Sequence, residues 1–355
     1  MRDVIITILL SFLLIIRFFT SQPQYITGQR IRISGVVSSE PVLYPNRQRL
    51  TLSGLKIYLP AFPEVYYGDR VVIEGVIDGG SLSKAKLVKH EDSNNFLMDF
   101  KARLVSFWQK TLPEPHSSLV AGIILGFKRN IPQDFWSDLK KTGTTHVVVA
   151  SGMNVTFVAG FLISTFTPFL RRKWAILASI VGIWLYVFIS GLEAPIVRAG
   201  IMASAMFLSQ AVGRLAQTLR VFFLTAFLML IIKPAWIGDL GFLLSFGSTL
   251  SLILFGTKVH SKLSFVPSIF REGFSTSIAA QVGVVPILLF AFGQFNILSP
   301  LINMLVLWII PIVMVIGSIG GIVGLVFPAL GQLIIYLIYP LTSWFVWITH
   351  LFANI

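Results

Sequence analysis

THVVVASGMNVTFVAGFLISTFTPFL, residues 145–170, decides the fold class, because a stretch apolar enough to cross a bilayer carries three polar side chains near its start. These side chains are His146, Ser151 and Asn154. In a continuous helix, at about 100° per residue, they fall within an arc of roughly 140° and leave the opposite face to lipid. The pattern predicts a polar seam that faces the interior of a membrane protein.

The composition places the whole chain among polytopic membrane proteins. Hydrophobic residues make up 55% of the 355 residues, charged residues make up 12%, and the mean hydropathy is +0.81. Long apolar runs recur through the second half of the chain, whereas most of the 28 Lys and Arg residues precede residue 144. The absence of cysteine excludes disulfides, thiolate metal sites and cysteine nucleophiles.

Hydropathy predicts a polytopic α-helical protein with about nine membrane spans. Residues 1–20 form the first, an uncleaved transmembrane anchor, because no small-residue cleavage site follows the apolar core. The short span 241–256 and the link from Gly191 to Pro195 predict broken or re-entrant helices among the others. The predicted spans are 4–19, 146–170, 174–192, 195–212, 217–236, 241–256, 275–294, 299–323 and 326–353.

Basic residues between the spans predict their orientation. They occur in alternate loops, so the positive-inside rule places these loops and the N-terminus in the cytoplasm. The residues after the first span and the C-terminus are then outside. The basic residues are Arg171, Arg172 and Lys173, then Arg214 and Arg220, then Lys258, Lys262 and Arg271.

Residues 25–92 predict a small β-barrel inserted after the first span. The runs IRISGVV, LTLSGLKIYL and DRVVIEGVI are short, alternating or β-branched and bounded by turn residues, which indicates four or five strands of an OB-like barrel. Basic side chains that would track a phosphate backbone are Arg30, Arg32, Arg47, Arg49, Lys56, Lys84, Lys86 and Lys89, and Tyr44, Tyr58 and Tyr67 would stack on bases. A solvated surface with ordinary tyrosine packing is the alternative.

Amphipathic helices are predicted in residues 95–143, between the barrel and the remaining spans. Asn95 to Lys110 has apolar residues at helical spacing, and this helix lies either in the membrane interface or against the transmembrane bundle. A shorter helix from Asp134 to Lys141 ends at Gly143 with lysines in its last turn.

Two charged residues lie at a membrane boundary in GLEAPIVRAGIM, residues 191–202. A charge there is costly unless it pairs with another charge, reaches the interface or meets water. Glu193 and Arg198 therefore either form a structural pair across a turn, or Arg198 faces the path of an anionic substrate.

Neutral polar residues in the later spans leave two interpretations open. Ser245, Ser248 and Ser251 recur at three-residue spacing, which favours close helix packing over pore lining. Gln281, Gln294, Asn296 and Asn303 either satisfy backbone groups at helix breaks or contact a substrate.

Four motifs resemble the ComEC family of competence proteins, inner-membrane channels through which naturally transformable bacteria import single-stranded DNA. The motifs are TGTTHVVVASGMNV at 142–155, GLEAPIVRAGIM at 191–202, GFLLSFGS at 241–248 and QVGVVPILLFAFGQFNILSPLINML at 281–305. The resemblance covers nearly the whole chain. It implies that residues 144–355 form a competence-type transmembrane channel domain, that the barrel is an OB fold outside the cell, and that the Ser151-Gly152 pair breaks a helix beside the DNA path.

The sequence departs from the family pattern at two places. Ser151-Gly152-Met153-Asn154 replaces the S-G-L-H of many members, so a titrating imidazole is missing at Asn154. Many members also continue into a metallo-β-lactamase-like domain, whereas this sequence stops at Ile355 and its five histidines are scattered. Neither enzymatic activity nor a metal or cofactor is therefore expected, and a separate polypeptide is expected to supply any nuclease.

The resemblance and the charge pattern predict a channel for single-stranded DNA in the cytoplasmic membrane. The expected partners are membrane lipid, a DNA receptor outside and an ATP-driven translocase in the cytoplasm, because the sequence has no Walker-type phosphate loop. A secondary transporter that uses Glu193, Asp239 and Arg198 is the alternative, and a non-transporting receptor scaffold is another. The predicted DNA path comprises His146, Ser151, Gly152, Asn154, Glu193, Arg198, Ser245, Ser248, Gln281 and Asn303.

Overall fold

The structure, a computed structural model, describes residues 17, 20, 26–37, 40–44, 46–93, 95–149, 151–213, 216–293 and 295–354. The predicted span 4–19 lies outside these residues except for Arg17, and so do Arg214, Gln294 and the side chain of Tyr44. The chain forms two compact units. The N-terminal unit is Met1–Lys101 with Gly191–Glu193 and Phe227–Ile237, and the helical unit is Ala102–Ser190, Ala194–Ala226 and Gly238–Ile355.

A six-stranded sheet dominates the N-terminal unit. Its strands are β1 (Arg30–Val36), β2 (Val42–Tyr44), β3 (Arg47–Leu52), β4 (Leu55–Pro60), β5 (Arg70–Asp78) and β6 (Ser81–Glu91). Alternate residues of β3, β4 and β5 are buried, so the inward side chains build one apolar core that includes Leu50, Ile57 and Ile73. The structure thus has more strands than the four or five predicted.

The strand order is β1-β5-β6-β4-β3-β2. All pairs are antiparallel except β4 with β6, which pair in parallel. In the part of the chain that the structure describes, β1 and β2 are the two edges of the sheet, and no hydrogen-bonded pairing joins them. The sheet is therefore open, and the predicted closed barrel is not confirmed.

The helical part begins with α1 (Phe96–Thr111), α2 (His116–Leu125), α3 (Gln133–Thr142) and α4 (Thr145–Val148). In α1, Trp108 is fully buried and its Nε1 donates a hydrogen bond to the carbonyl oxygen of Gly317, at 3.2 Å. The apolar face of this half of α1 is therefore docked on other helices, which decides between the two predicted locations. The predicted stop of α3 is confirmed, because Gly143 adopts φ 73°, a left-handed conformation that favours glycine.

The remaining helices alternate with short connections. They are α5 (Gly152–Phe166), α6 (Arg172–Ile189), α7 (Ala194–Ala211), α8 (Thr218–Ile232), α9 (Leu240–Lys262), α10 (Ser268–Phe292), α11 (Ser299–Val306), α12 (Ile310–Val326), α13 (Pro328–Tyr336) and α14 (Tyr339–Ala353). Helices α5, α6 and α7 pack against one another, α9 packs against α10, and α12 packs against α13.

The number of helices that are long enough to cross a membrane is smaller than predicted. Among the described residues four segments pass by length and composition, namely α6, α9, α10 and Ser299–Val326, and a fifth is reached if α13 and α14, bent by 45°, are one span. The chain thus has several membrane-spanning candidates, and nine spans are not confirmed. The predicted interruption of 241–256 is wrong, because α9 is continuous over 23 residues. Helix α10 likewise continues past Pro286.

Candidate functional site

Residues 145–170 contain a helix break. Helix α4 ends at Val148, and α5 begins at Gly152 after Ser151, whose φ of −114° and ψ of 165° are extended. The continuous helix that would have aligned His146, Ser151 and Asn154 on one face is therefore wrong. The break expected at the Ser151-Gly152 pair is present. Its consequence is that the first backbone N–H groups of α5 have no partner within the helix.

Asn154 holds this break in place. Its side chain is fully buried, its Nδ2 donates to the carbonyl oxygen of Ile123 in α2 at 2.8 Å, and its Oδ1 accepts a hydrogen bond from the Ser151 hydroxyl at 3.2 Å. An amide makes both bonds at once, because it carries a donor and an acceptor. Asn154 and Ser151 thus fix the start of α5 to α2. The Ser151 hydroxyl makes no side-chain cap to α5.

His146 does not join this pair. Its side chain is exposed, and its Nδ1 lies 3.0 Å from the carbonyl oxygen of Gly143 in the preceding turn. The structure therefore separates His146 from Ser151 and Asn154. A role for His146 in a DNA path stays a prediction.

Arg198 is a buried cation of the helical unit. It is 9% exposed, and its one hydrogen bond among the described residues runs from Nη1 to the carbonyl oxygen of Ser245 in α9, at 2.6 Å. The buried Nε has no partner. Nη2 lies so close to the backbone of Gly152 that a Cβ there would clash with it. The structural pair predicted with Glu193 is not confirmed, since the structure gives Arg198 this other partner.

Two hydroxyl groups near the start of α5 were not singled out from the sequence. The Tyr186 hydroxyl faces the side chains of Ser190 and Asn154. Among the described residues neither it nor the Ser190 hydroxyl has a partner at full hydrogen-bond geometry, and both oxygen atoms are buried. Both residues lie at the C-terminal end of α6. Their apolar sequence context, VFISG, gave no signal for a polar site.

Ser245, Ser248 and Ser251 of α9 make different kinds of contact. Ser251 donates from Oγ to the carbonyl oxygen of Ala279 in α10 at 2.7 Å, and Gly247 and Gly283 let the two helices approach closely, since a Cβ on either would clash with the other backbone. Ser248 bonds within its own helix, to the carbonyl oxygen of Ser245. Ser251 therefore joins two helices, and Ser245 meets Arg198 through its backbone.

The other neutral candidates lie elsewhere in the helical unit. Asn303 is buried, with Nδ2 donating to the Ser277 hydroxyl at 2.7 Å and Oδ1 lacking a partner. Asn296 binds the carbonyl oxygen of Lys141 and the backbone N–H of Leu298, so it satisfies backbone groups as one interpretation predicted. Gln281 is half-buried on α10.

The two acidic residues of the transporter alternative differ in their roles. Asp239 caps the start of α9, because its Oδ1 accepts the backbone N–H of Phe242 at 2.8 Å. Glu193 is half-buried and belongs to the N-terminal unit. The cap gives Asp239 a structural role that needs no ion coupling.

The basic side chains of the sheet lie on its outer face. Glu74 on β5 lies among them, 3.6 Å from both Arg30 and Arg32, and it is opposite Lys86 in the ladder. The guanidinium of Arg47 stacks over the ring of Tyr58 at 5.0 Å. Tyr58 on β4 is also the ladder partner of Arg49 on β3. The outward residues are Arg30, Arg32, Arg47, Arg49, Lys56, Lys84, Lys86 and Lys89, of which Arg49 is half-buried and the others are exposed. We call this set the basic face.

Tyr67, which was predicted to stack on bases, packs against another residue of the protein. The ammonium of Lys101 lies 5.8 Å from the centre of the Tyr67 ring. Burial raises the pKa of Tyr67, and the nearby Glu40 carboxylate raises it further. Tyr67 is thus part of the packing around Lys101, which leaves Tyr58 as the better-placed tyrosine on the basic face.

Asp69, in the turn YYGD, forms a polar cluster that sequence reasoning missed. Its carboxylate accepts the backbone N–H groups of Tyr66 and Ser93, at 2.6 and 3.0 Å, and lies 2.8 Å from His90 Nε2. With Asp92 these side chains are close enough together to hold a metal ion. Because both Asp69 oxygens already accept backbone N–H groups and Asp92 is exposed, we interpret the cluster as a lock on the turn.

A family model and two relatives of this chain carry descriptions that refer to competence. The family model described as Competence protein matches residues 123–355. The chain is 26% identical over 213 residues to ComE operon protein 3 of Bacillus subtilis (strain 168), which covers 59% of this chain and 26% of that protein. It is 23% identical over 244 residues to Competence protein ComA of Neisseria gonorrhoeae, covering 64% and 34%.

A third relative is an uncharacterized protein of Aquifex aeolicus (strain VF5), 29% identical over 230 residues that cover 60% of this chain and 53% of the relative. The chain therefore spans between about a quarter and about half of the length of these curated relatives. No solved structure matches the chain.

Proposed function

Because the chain belongs to the Competence protein family, we propose that it forms a channel in the cytoplasmic membrane through which single-stranded DNA enters the cell during natural transformation. The observation that carries the proposal is the extent of the family match. Residues 123–355 include every membrane-span candidate found among the described residues, the break before α5 and Arg198. The names of two relatives, which refer to competence, point in the same direction.

The route that we propose for the strand uses the two kinds of positive charge in the molecule. The basic face would attract the phosphate backbone collectively, with a strong dependence on salt, because exposed cations release counterions when they meet phosphate. Tyr58 would add stacking on a base. Inside the membrane the strand would pass the start of α5 and Arg198. Ser151, Gly152 and Asn154 would then shape the path by holding the helix break.

The proposal keeps several finer predictions. The N-terminus lies in the cytoplasm, the sheet and the C-terminus lie outside, and about nine segments cross the membrane. The sheet is an OB-like module, supported by its crossover of β6 to β4 and by the fact that the OB fold is itself a partly open barrel. A receptor outside would deliver DNA, a cytoplasmic ATP-driven translocase would pull it, and a separate nuclease would degrade the other strand.

A labelled-DNA import assay tests the proposal. A transformable strain that lacks this chain should accumulate no labelled DNA in the cytoplasm, and expression of the wild-type chain should restore import. DNA bound at the surface is removed with external nuclease before counting, which separates import from binding. Undiminished import and transformation in the deletion strain would overturn the channel.

The same assay distinguishes the receptor scaffold. A scaffold presents the sheet but does not conduct, so it would tolerate changes in the helical unit that preserve the fold. Gly283→Leu, which forces α9 and α10 apart at their closest approach, should reduce import much more than surface binding of DNA. Retention of both activities at unchanged protein level would favour the scaffold.

A further inference from the structure

Three buried hydrogen-bond donors that have no partner at bonding geometry among the described residues lie around the start of α5. They are Nε of Arg198 and the hydroxyl groups of Tyr186 and Ser190, and all three atoms are buried. Contacts link them into one cluster, because Arg198 abuts Gly152 at the first turn of α5, and Tyr186 lies beside Ser190 and Asn154. Buried donors are rarely left without an acceptor, since each costs the desolvation of a polar group.

The full and partial charges described in this cluster are positive. The N-terminus of a helix carries a partial positive charge, and here it has no side-chain cap. A guanidinium, which is also positive, is packed directly against it. Among the described residues, the acceptor of Arg198 is the carbonyl oxygen of Ser245, which is shared with the hydroxyls of Ser248 and Thr249. An anion beside the guanidinium and the helix N-terminus would stabilise both positive charges.

Gly152 makes this arrangement sterically feasible. A side chain at this position would collide with Nη2 of Arg198, so the absence of Cβ permits the guanidinium to approach the start of the helix. Arg198 is nine-tenths buried, which keeps water from screening the charge. The guanidinium therefore supplies an observation independent of the helix terminus.

We propose that the start of α5, Arg198, Tyr186 and Ser190 form a binding site for a single phosphate group, which is a phosphodiester of the transported strand. The inference rests on the proposed function for the identity of the ligand, but its chemistry stands on the donors alone. A phosphate offers several acceptor oxygens to donors that converge from different helices, and guanidinium and helix N-termini are both established phosphate partners. The sugar and base make no contact in this proposal, so the site would accept any sequence.

The test uses the purified full-length chain in dodecyl maltoside, a detergent without phosphate, and the probe is the thymidine dinucleotide TpT, whose one phosphate is a phosphodiester. Binding is measured by equilibrium dialysis. The wild-type chain should bind the dinucleotide, and it should not bind the analogue in which an uncharged methylphosphonate replaces the phosphodiester. Arg198→Gln, Gly152→Ala and the double variant Tyr186→Phe with Ser190→Ala should each weaken binding about tenfold or more.

The matched control is Arg103→Gln, which removes one positive charge from an exposed position of α1 and should leave binding unchanged. Melting temperatures show which variants fold. If Arg198→Gln does not fold, Gly152→Ala and the hydroxyl double variant still decide the question. Wild-type affinity in folded variants, or equal binding of the methylphosphonate analogue, would overturn the site.

Two further arms identify the source of the phosphate. Binding of inorganic phosphate with the same dependence on Arg198, but not of the dinucleotide, would overturn the assignment to DNA. Competition by phosphatidylglycerol added to the detergent would point to a lipid headgroup and would also overturn it. In cells, import that needs the chain but not Arg198 would reject the site and keep the channel. Import that does not need the chain, with phosphate binding intact, would reject the channel and keep the site.

Discussion

Lys101 of the N-terminal unit and Arg198 of the helical unit are both buried cations, at 6% and 9% exposure, yet their surroundings differ in kind. Lys101 donates to the Glu40 carboxylate at 2.9 Å, and both side chains of this pair are more than nine-tenths buried. Arg198 has a neutral carbonyl oxygen. The charge of Lys101 is balanced by the Glu40 carboxylate. The charge of Arg198 has no carboxylate among the described contacts of that residue.

The difference teaches how to tell a structural charge from a functional one. A buried ion pair hardly stabilises a fold relative to apolar packing, but removal of one partner is costly because the other is left buried. A buried cation without a carboxylate has no such structural use. We therefore expect the same substitution, a cation replaced by methionine, to have opposite effects on the stability of the two units.

The largest expected effect is that of Lys101→Met. It strands the Glu40 carboxylate in the interior, so the free energy of unfolding should fall by about 3–5 kcal/mol. Chemical denaturation of the full chain in detergent measures the loss. Lys110→Met, at an exposed position of the same helix, is the control and should change stability by less than about 0.5 kcal/mol. A loss for Lys101→Met no greater than that of the control would mean that the pair is not structural.

Asp69→Asn should produce the next largest loss, about 2–3 kcal/mol. The amide keeps one acceptor oxygen but places an N–H₂ donor against a backbone N–H, at Tyr66 or Ser93. The same denaturation experiment applies, and the exposed Asp92→Asn is the control, with a change within about 0.5 kcal/mol. If Asp92→Asn is as costly and a chelator mimics it, the cluster holds a metal and is not merely a lock on the turn.

Arg198→Met is expected to leave stability unchanged or to raise it by about 1 kcal/mol. Methionine fills a similar volume, and no carboxylate among the described contacts of Arg198 is left behind. The melting temperature of the full chain should therefore stay level or rise while DNA import falls. Such a division between stability and function is the mark of a residue kept for its activity. A drop in melting temperature as large as that of Lys101→Met would show that Arg198 is structural.

Local features of both regions could be predicted from the sequence. The stop of α3 at Gly143 was predictable because glycine acts through the backbone of its own segment, whereas the break at Ser151 was expected only from the family resemblance. The strands followed from alternation, which needs only neighbouring residues. The amphipathic pattern of α1 likewise marked the face that carries Trp108.

The partners of the buried polar groups were beyond such reasoning. Glu40 and Lys101 are 61 residues apart, and Arg198 and Ser245 are 47 apart, so each contact depends on how distant elements pack. The local candidate, Glu193, was attractive because it is close in sequence. Hydropathy also misjudged the spans, since it measures the length of an apolar run and not whether one helix continues through it. For that reason it treated residues 146–170 as one span, although one helix ends at Val148 and the next begins at Gly152, and it predicted an interruption of α9.

Glu74→Gln is expected to have the smallest effect on stability, below about 1 kcal/mol, because its contacts with Arg30 and Arg32 are long and the arginines are exposed. Unlike the other charge changes, Glu74→Gln should strengthen DNA binding. Removal of the Glu74 carboxylate from the basic face should raise the affinity for a single-stranded oligonucleotide a few-fold and should steepen its dependence on salt. Asp99→Asn, an exposed position on α1, makes the same change in net charge away from the sheet. Fluorescence anisotropy of a labelled oligonucleotide at several salt concentrations compares the two variants. If both raise the affinity equally, net charge and not the basic face attracts the strand, and the exposed charges of the sheet are then only a solvated surface.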